Sequence, residues 1–531
     1  MDYQKKFIET IDNNIIAYGS RNMFCFNDGS KIATISYDCF QPVLSRLSLI
    51  LKTNNIGAGD RVSVISSVTE SYVALSVVLF YLGIVIVPID VNLPAGEKNN
   101  LIKKAKVKAL FAEKNYADEI EEKDFNLVLM SKGCEYTVVR SMKAVDYEPS
   151  DPGVGAIMFS SGTTGTIKGV ELTKKSIVMA VERMINYIGM EYKDVSLTVL
   201  PLSHVAGFVG ALSLPYVGGA SCFLESFNPN TLMAAFDLYK PSLFEVIPEV
   251  LELMRHRALI IINKGRLSKA YYNVVTKIIS FVRRKTGLSL KFLAKPVYSK
   301  MFGPNIKCVG GGAALFKEEC IRFYLNLGLD FINVYGSTET CFPIAGYHHD
   351  NKYQYKGVGK ADQFNDILIK IDNPDEHGVG EILVKSALIM NGYFEDEKLT
   401  EEAFSDGYFK TGDLGFIDSD NNLFIKGRIK ENIVLSNGEK LTPLEIDEYY
   451  KMAEAKIAAV GVPTGNGTDE LHLFIESEDE ALLERIKTAS LQAPKNYKVK
   501  GIHLIDKIPV TGTGKIKRFE LRRMVLCEKQ N

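Results

Sequence analysis

Short apolar runs alternate with helical patterns along most of this chain, and that alternation limits its fold more than any other property. "DRVSVIS", "GIVIVPID", "KALFA", "LTVLP", "IKCVGGG" and "FINVYG" have the length and texture of strands. "ESYVALSVVLFYL", "KKSIVMAVERMINYI" and "KEECIRFYLNLG" have those of helices. Strands that alternate with helices predict α/β architecture with largely parallel sheets. The 531 residues exceed what one compact core holds, so the chain should divide into domains.

One run, Tyr72 to Ile89, is apolar enough to suggest a membrane span. Gly83 and Pro88 break it into a helix over 72–82 and a β-branched strand over 84–87, which is how a buried α/β unit reads. The beginning, "MDYQKKFIETIDNN", carries no apolar signal core. After about residue 350 short Gly- and Asp-punctuated strands dominate, which predicts a β-rich subdomain over 350–428. From 429 a hairpin, a helix opened by Pro443 and further strands predict a small, mobile α+β domain over 429–531. The expected organisation is therefore an N-terminal domain over 1–428 built of packed α/β sheets plus that β-rich part, then the C-terminal domain.

The stretch "IMFSSGTTGTIKGV", Ile157 to Val170, leaves a strand and spends small and hydroxylated residues on one turn. Glycine allows close approach of a ligand, and backbone N–H groups, hydroxyls and a lysine together grip an anion. The bland alternative is a surface hairpin. It is not a Walker A loop, because Ile167 stands where that pattern requires glycine after Gly162.

A formal net charge of −1 gives no general attraction to nucleic acid. The cysteines at 25, 39, 134, 222, 308, 320, 341 and 527 have no metal-ligand spacing, which fits a reduced, cytoplasmic protein. Charge is uneven in one place: from Arg255 to Lys307 there are thirteen Lys or Arg and no Asp or Glu, interleaved with apolar residues. This predicts one or two basic amphipathic helices. They are either a solvated face or a contact with an anionic surface, such as a membrane leaflet or an acidic carrier protein.

Five stretches occur in order: "FSSGTTGTIKGV", "NVYGSTET", "YFKTGDLGFID", "GRIKENIVLSNGEKLTPLEID" and "PVTGTGKIKR". Together they resemble the signature motifs of the acyl-adenylate-forming superfamily, which includes acyl-CoA ligases, peptide-synthetase adenylation domains and beetle luciferase. The resemblance covers nearly the whole chain. It implies joining of a carboxylate to AMP from ATP with Mg²⁺, release of pyrophosphate, and displacement of AMP by a thiol, commonly that of CoA. The catalytic difficulty is electrostatic, since an anionic carboxylate must approach an anionic phosphate.

The resemblance also implies roles. Ser160, Ser161, Gly162, Thr163, Thr164, Gly165 and Lys168 would hold the β- and γ-phosphates, with Thr164 counted among the catalytic groups. The family usually has Pro before that lysine, where this chain has Ile167. Tyr335 would stack on adenine, Thr338 would bind a phosphate, and Glu339 would ligate Mg²⁺; Asn333 and Gly336 flank them. Gly310, Gly311, Gly312 and Ala313 would lie along adenine and the acyl pocket. Asp413 would accept from the ribose hydroxyls, and Arg428 would reach ribose or phosphate. Lys515 would bridge the carboxylate and the α-phosphate, carried in by rotation about a hinge at Lys430. Gly438 would line the thiol's entry path.

"PLSHVAGFVGALSLPYVGGA" resembles the acyl-pocket segment, with His204 as gate and Val205 and Phe208 among its apolar walls. The Asp with which peptide-synthetase domains pair a substrate amine has no counterpart, since Asp237 sits in an ordinary helical pattern. The region around "GGGAALF" and "IVLSNGEKLTPLEI" most resembles long-chain fatty-acid–CoA ligases. The leading expectation is thus a medium- or long-chain fatty-acid–CoA ligase, a monomer or homodimer with peripheral membrane contact through 255–307. The alternatives are an acyl- or aryl-acid adenylating enzyme that loads a carrier protein, and a non-catalytic nucleotide-binding protein.

Overall fold

A computed structural model describes residues 2–27, 31–142, 150–161, 167–224, 226–312, 314, 316–346, 357–361, 363–451, 455–511 and 514–528. The chain forms two compact units. Met1–Ser160, Gly169–Lys356 and Ser386–Glu401 make the first; Ser161–Lys168, Gly357–Lys385 and Glu402–Asn531 make the second.

The strands of the first unit are, in chain order, β1 (Asn22–Asn27), β2 (Ile32–Ser36), β3 (Arg61–Ile65), β4 (Val85–Pro88), β5 (Ala109–Ala112), β6 (Asn126–Ser131), β7 (Glu135–Arg140) and β8 (Val154–Ser161). They continue with β9 (Ile167–Thr173), β10 (Val195–Thr198), β11 (Ala220–Phe223), β12 (Leu243–Glu245), β13 (Cys308–Gly311), β14 (Asp330–Tyr335) and β15 (Ala345–Gly346). One sheet has the order β9-β8-β4-β3-β5-β6-β7, with the short strand Gly392–Tyr393 antiparallel on the outer side of β9. Another runs β15-β14-β13-β12-β10-β11-β1-β2. Its interior strands from β14 to β1 are parallel, and antiparallel strands close both sides.

Parallel strands need crossovers, and helices supply them. Helix Glu70–Tyr81 is buried from Glu70 to Phe80, which explains why it is apolar on all sides. Thr69 caps it by accepting from the Tyr72 N–H, and Gly83 at φ +72° turns the chain toward β4. Among the described residues no helix is long and apolar enough to cross a membrane.

Between β12 and β13 the chain inserts helices Pro248–Lys264 and Arg266–Thr286, a short 3₁₀ turn Lys291–Ala294 and helix Lys295–Phe302. Leu251, Met254, Val275, Ile279 and Phe302 pack into one core with Val309 of β13 and Phe331 of β14. The predicted basic amphipathic helices are therefore part of the fold.

In the second unit the strands Leu368–Asp372, Gly380–Lys385, Tyr408–Ile417, Asn422–Arg428 and Gly359–Lys360 lie side by side, antiparallel throughout. The C-terminal part holds a three-stranded sheet of Lys456–Pro463, Asp469–Glu476 and Gly501–Ile505. Its strand "KIAAVGVP" shows why an unbroken apolar run forms here. Ile457 and Ala459 enter one core with Ile446 and Leu482, while Ala458, Val460 and Val462 enter another with Leu521 and Val525. Successive side chains face opposite ways, so both faces must be apolar. Helix Pro443–Tyr449 opens with a capping box between Thr442 and Glu445.

Candidate functional site

Four neighbouring parallel strands of the first unit lead to residues of the site. Leaving β10, the chain reaches His204; β12 ends on Glu245, β13 on Gly311 and β14 on Tyr335. Ligands of open α/β sheets bind beyond the carboxyl ends of the strands. The sheet itself therefore gathers these residues along one edge.

Gly310 and Gly311 are dictated by crowding. A Cβ on Gly310, at φ +143°, would lie 2.1 Å from the Ile332 carbonyl oxygen, and one on Gly311 would lie 2.5 Å from that of Val246. Only glycine fits between β12 and β14 here. Asn333 of β14 is buried opposite Gly311. Ala313 lies outside the described residues.

After Tyr335 the chain makes a compact turn held by Thr340. Its Oγ1 accepts from the Ser337 N–H at 2.9 Å and faces the carbonyls of Ser337 and Phe342, both at 3.0 Å. Gly336 permits this, since a Cβ there would meet the Phe342 oxygen at 2.9 Å. The Thr338 carbonyl accepts from the Cys341 N–H at 3.1 Å. Glu339 is fixed twice: its carbonyl accepts from the Met390 N–H at 2.7 Å, and its Oε1 accepts from the Tyr393 hydroxyl at 3.2 Å.

Among the described residues no cluster of three or more His, Cys, Asp or Glu could hold a metal. A lone oriented carboxylate still suits Mg²⁺, which commonly takes one or two protein carboxylates and completes its shell with phosphate oxygens and water.

His204 precedes helix Val205–Val217 and places Nε2 3.6 Å from Asp90 Oδ2, an electrostatic contact beyond hydrogen-bond distance. Burial pushes the Asp90 carboxyl up, but His204 and the Asn92 N–H outweigh it and leave the group below its ordinary range. Phe208 is fully buried and Val205 half-buried. Gly207, Gly210, Ala211 and Leu214 of this helix line a narrow hollow of about 20 Å³ with Leu197, Met190 and Glu245. A Cβ on Gly210 would lie 3.3 Å from Glu245 Oε2. Burial among these apolar neighbours pushes the Glu245 carboxyl up to about 7.

Ser160 and Ser161 end β8, and Lys168 is the second residue of β9. Gly162, Thr163, Thr164 and Gly165 lie outside the described residues. The segment that contains them joins two strands that are neighbours in one sheet. A Walker A loop instead opens a helix, so the architecture agrees with the spacing in excluding one.

In the second unit Asp413 sits within the strand Tyr408–Ile417, opposite Arg428 on the next strand. Arg428 Nε is 2.9 Å from Asp413 Oδ1, and Asp413 is buried. It is thus a strand carboxylate with a cationic partner rather than a turn aspartate. Gly412 before it adopts φ +70°, and its N–H donates to Glu381 Oε1 at 3.0 Å. Lys430 lies in the single 3₁₀ turn Ile429–Glu431, and Gly438, at φ +83°, in the hairpin turn between Ile433–Val434 and Lys440–Leu441.

Lys515 closes a tight loop. Val510 and Ile516 form an antiparallel bridge, the Thr511 N–H donates to the Lys515 carbonyl at 2.8 Å, and the Lys515 N–H donates to Thr511 Oγ1 at 3.1 Å. Behind the loop stands Arg518. It donates to the Ala459 carbonyl at 2.6 Å, pairs with Asp447 at 2.5 Å and lies 3.5 Å from Glu431.

Tyr393, Thr340, Glu245, Asp447 and Arg518 gain their positions only in the fold. Thr340, Asp447 and Arg518 lie inside quoted motifs, so the motifs flagged their neighbourhood. Tyr393 and Glu245 carried no local signal of a role.

Residues 17–394 match the family model described as AMP-binding enzyme. The indoleacetate–CoA ligase of Aromatoleum aromaticum is 25% identical over 518 residues, covering 92% of this chain and 93% of that one. The long-chain-fatty-acid–CoA ligase FadD13 of Mycobacterium tuberculosis is 24% identical over 519 residues, covering 95% of each. The crystal structure of the anthranilate CoA ligase AuaEII in complex with anthranoyl-AMP superimposes with a TM-score of 0.74 at 17% identity, covering 98% of both chains. That last likeness is one of fold, and it extends to the mixed α/β plan with a smaller C-terminal part.

Proposed function

The chain belongs to the family of AMP-binding enzymes and is an AMP-forming acid–CoA ligase, and from that premise we propose that its acid is a medium- or long-chain fatty acid. A carboxylate oxygen attacks the α-phosphorus of ATP, and pyrophosphate leaves. The CoA sulfur then attacks the acyl carbonyl, the thiol proton is lost, and AMP leaves. Mg²⁺ supplies positive charge to the phosphates, and Glu339 is the residue here that would hold it.

The observation that carries the fatty-acid reading is the apolar flank of helix Val205–Val217, which faces β10 and β12. In the same reading Thr164 and its loop, with Ser160, Ser161 and Lys168, bind the outer phosphates. Tyr335 and Gly310 to Gly312 take adenine and the start of the acyl group, and Asp413 and Arg428 take ribose. Lys515 offsets the repulsion between carboxylate and α-phosphate, and Lys430 is the point about which its domain turns.

A second reading is favoured by Glu245. A carboxyl group among apolar neighbours suits an aryl or short acid that carries a hydrogen-bonding group at its far end, which would have to widen a hollow that now has room for about one water. Pyrophosphate release with ATP and Mg²⁺ across aliphatic acids of graded length, aryl acids and amino acids separates these readings. Each acid is run with CoA, with a holo-carrier protein and with neither. Turnover that rises with chain length and requires CoA supports the fatty-acid ligase; preference for polar aryl acids supports the second reading. Dependence on the carrier protein would reassign the thiol.

A further inference from the structure

Helix Arg266–Thr286 is apolar on two sides, and among the described residues only one of them packs into the core; on the other, the Tyr271 hydroxyl donates to the Leu293 carbonyl at 2.5 Å. Val275 and Ile279 are buried in the core, with Tyr272 packed against it. Leu267, Tyr271, Val274, Ile278 and Phe281 follow one another at steps of four and three residues, which lines them up along one face. All are exposed, Leu267 at 87% and Phe281 at 60%. Ile260 and Ile261 before the helix, and Leu288 and Phe292 after it, are exposed as well.

The surrounding charge has one sign. Of the thirteen Lys and Arg between Arg255 and Lys307, a few serve the fold: Arg255 meets Glu252, Arg283 meets Asp330, and Lys307 meets Asp194. Arg266, Lys269, Lys277, Arg284, Lys285, Lys295 and Lys300 are exposed. By helical spacing Arg266, Lys277 and Arg284 run along one edge of the apolar stripe. A merely solvated face accounts for these cations but not for five large apolar side chains among them.

We propose that this face is a membrane-docking surface that lies on an anionic lipid leaflet, with the stripe at the boundary between headgroups and acyl chains and the cations among the headgroups. Charge argues against a second copy of this chain as occupant, because two such faces would set cation against cation with no acid to offset them. The exposed apolar residues are spread over three consecutive elements, which suits a deformable surface better than a shaped protein partner. The inference does not depend on which acid the enzyme activates.

The test is sedimentation of the full chain with vesicles of phosphatidylcholine alone and of phosphatidylcholine mixed with phosphatidylserine. The protein should pellet with the anionic vesicles only. Lys277→Ala/Arg284→Ala/Lys285→Ala should lower partitioning about a hundredfold. Leu267→Ser/Val274→Ser/Phe281→Ser should lower it about tenfold or more. Both sets are exposed, so melting temperatures should match the parent, and the charge variant stands as a test even if the apolar one does not fold. A parent protein that stays in solution with anionic vesicles overturns the proposal, as do variants that pellet like the parent. A dimer that the stripe variant dissociates would also overturn it, assigning the face to a second copy.

Discussion

The Tyr393 hydroxyl donates to the Glu339 carboxylate at 3.2 Å, and Glu339 is the residue proposed to hold Mg²⁺. One carboxylate oxygen is thereby aimed by a side chain 54 positions away in sequence. Outer partners of this kind orient a metal ligand and tune its affinity. Tyr393→Phe should raise the Mg²⁺ concentration for half-maximal pyrophosphate release about tenfold or more, with ATP affinity changed less. A Mg²⁺ titration at saturating ATP reads this out, and an unchanged midpoint would remove Tyr393 from the site.

Lys515→Ala should lower adenylation about a hundredfold or more while thiol transfer from supplied acyl-AMP stays close to normal. The loop should survive the change, because its closing hydrogen bonds use the Lys515 backbone and Thr511. The two half-reactions are measured separately. Equal losses in both would contradict the assignment of Lys515 to the first step and the rotation that delivers it.

Arg518 is buried and Asp447 half-buried, and desolvation pushes the Asp447 carboxyl up against the opposing pull of Arg518. Removing one partner strands the other, so Arg518→Met should cost about 3–5 kcal/mol. Arg518→Met combined with Asp447→Leu should cost less than Arg518→Met alone. Urea unfolding of the three variants forms the cycle; a double variant weaker than the single one would mean that the pair's charges are not coupled.

Glu245 gives a pH signature. Its carboxyl is raised from 4.5 to about 7 by burial, so the folded state holds a proton that the unfolded chain has already lost. The stabilisation is fully present below pH 4.5 and fades as pH rises to about 7. Its size is at most about 3 kcal/mol. Glu245→Gln should therefore melt at a higher temperature than the parent at pH 8 and close to it at pH 5. Thermal melts at both values decide; equal shifts at both would mean that the carboxyl is not desolvated.

The fold was legible where local pattern sets structure. Helix Lys174–Ile188 coincides with the stretch read as a helix, and the run over 72–89 divides at Gly83 into helix and strand as its composition implied. What stayed hidden depends on pairing across the chain. Nothing near Tyr393 points to Glu339, nothing near Asp447 points to Arg518, and Glu245 is an unremarked acid at the end of a short strand; sheet order brings each to its neighbours. The stripe on Arg266–Thr286 was hidden for another reason. A helix apolar on two sides reads alike from either, and only packing shows which side the core takes.

The sheet that carries Glu245, Gly311 and Tyr335 holds them at the ends of the adjacent strands β12, β13 and β14, and such strands stand about 4.8 Å apart. The site is thus graduated like a ruler, each mark set by backbone pairing and each reading supplied by one replaceable side chain. New acid preferences can then arise one mark at a time while the divisions stay fixed. A strand that slipped by one residue would turn its side chains to the opposite face of the sheet, so register decides which residue each mark presents.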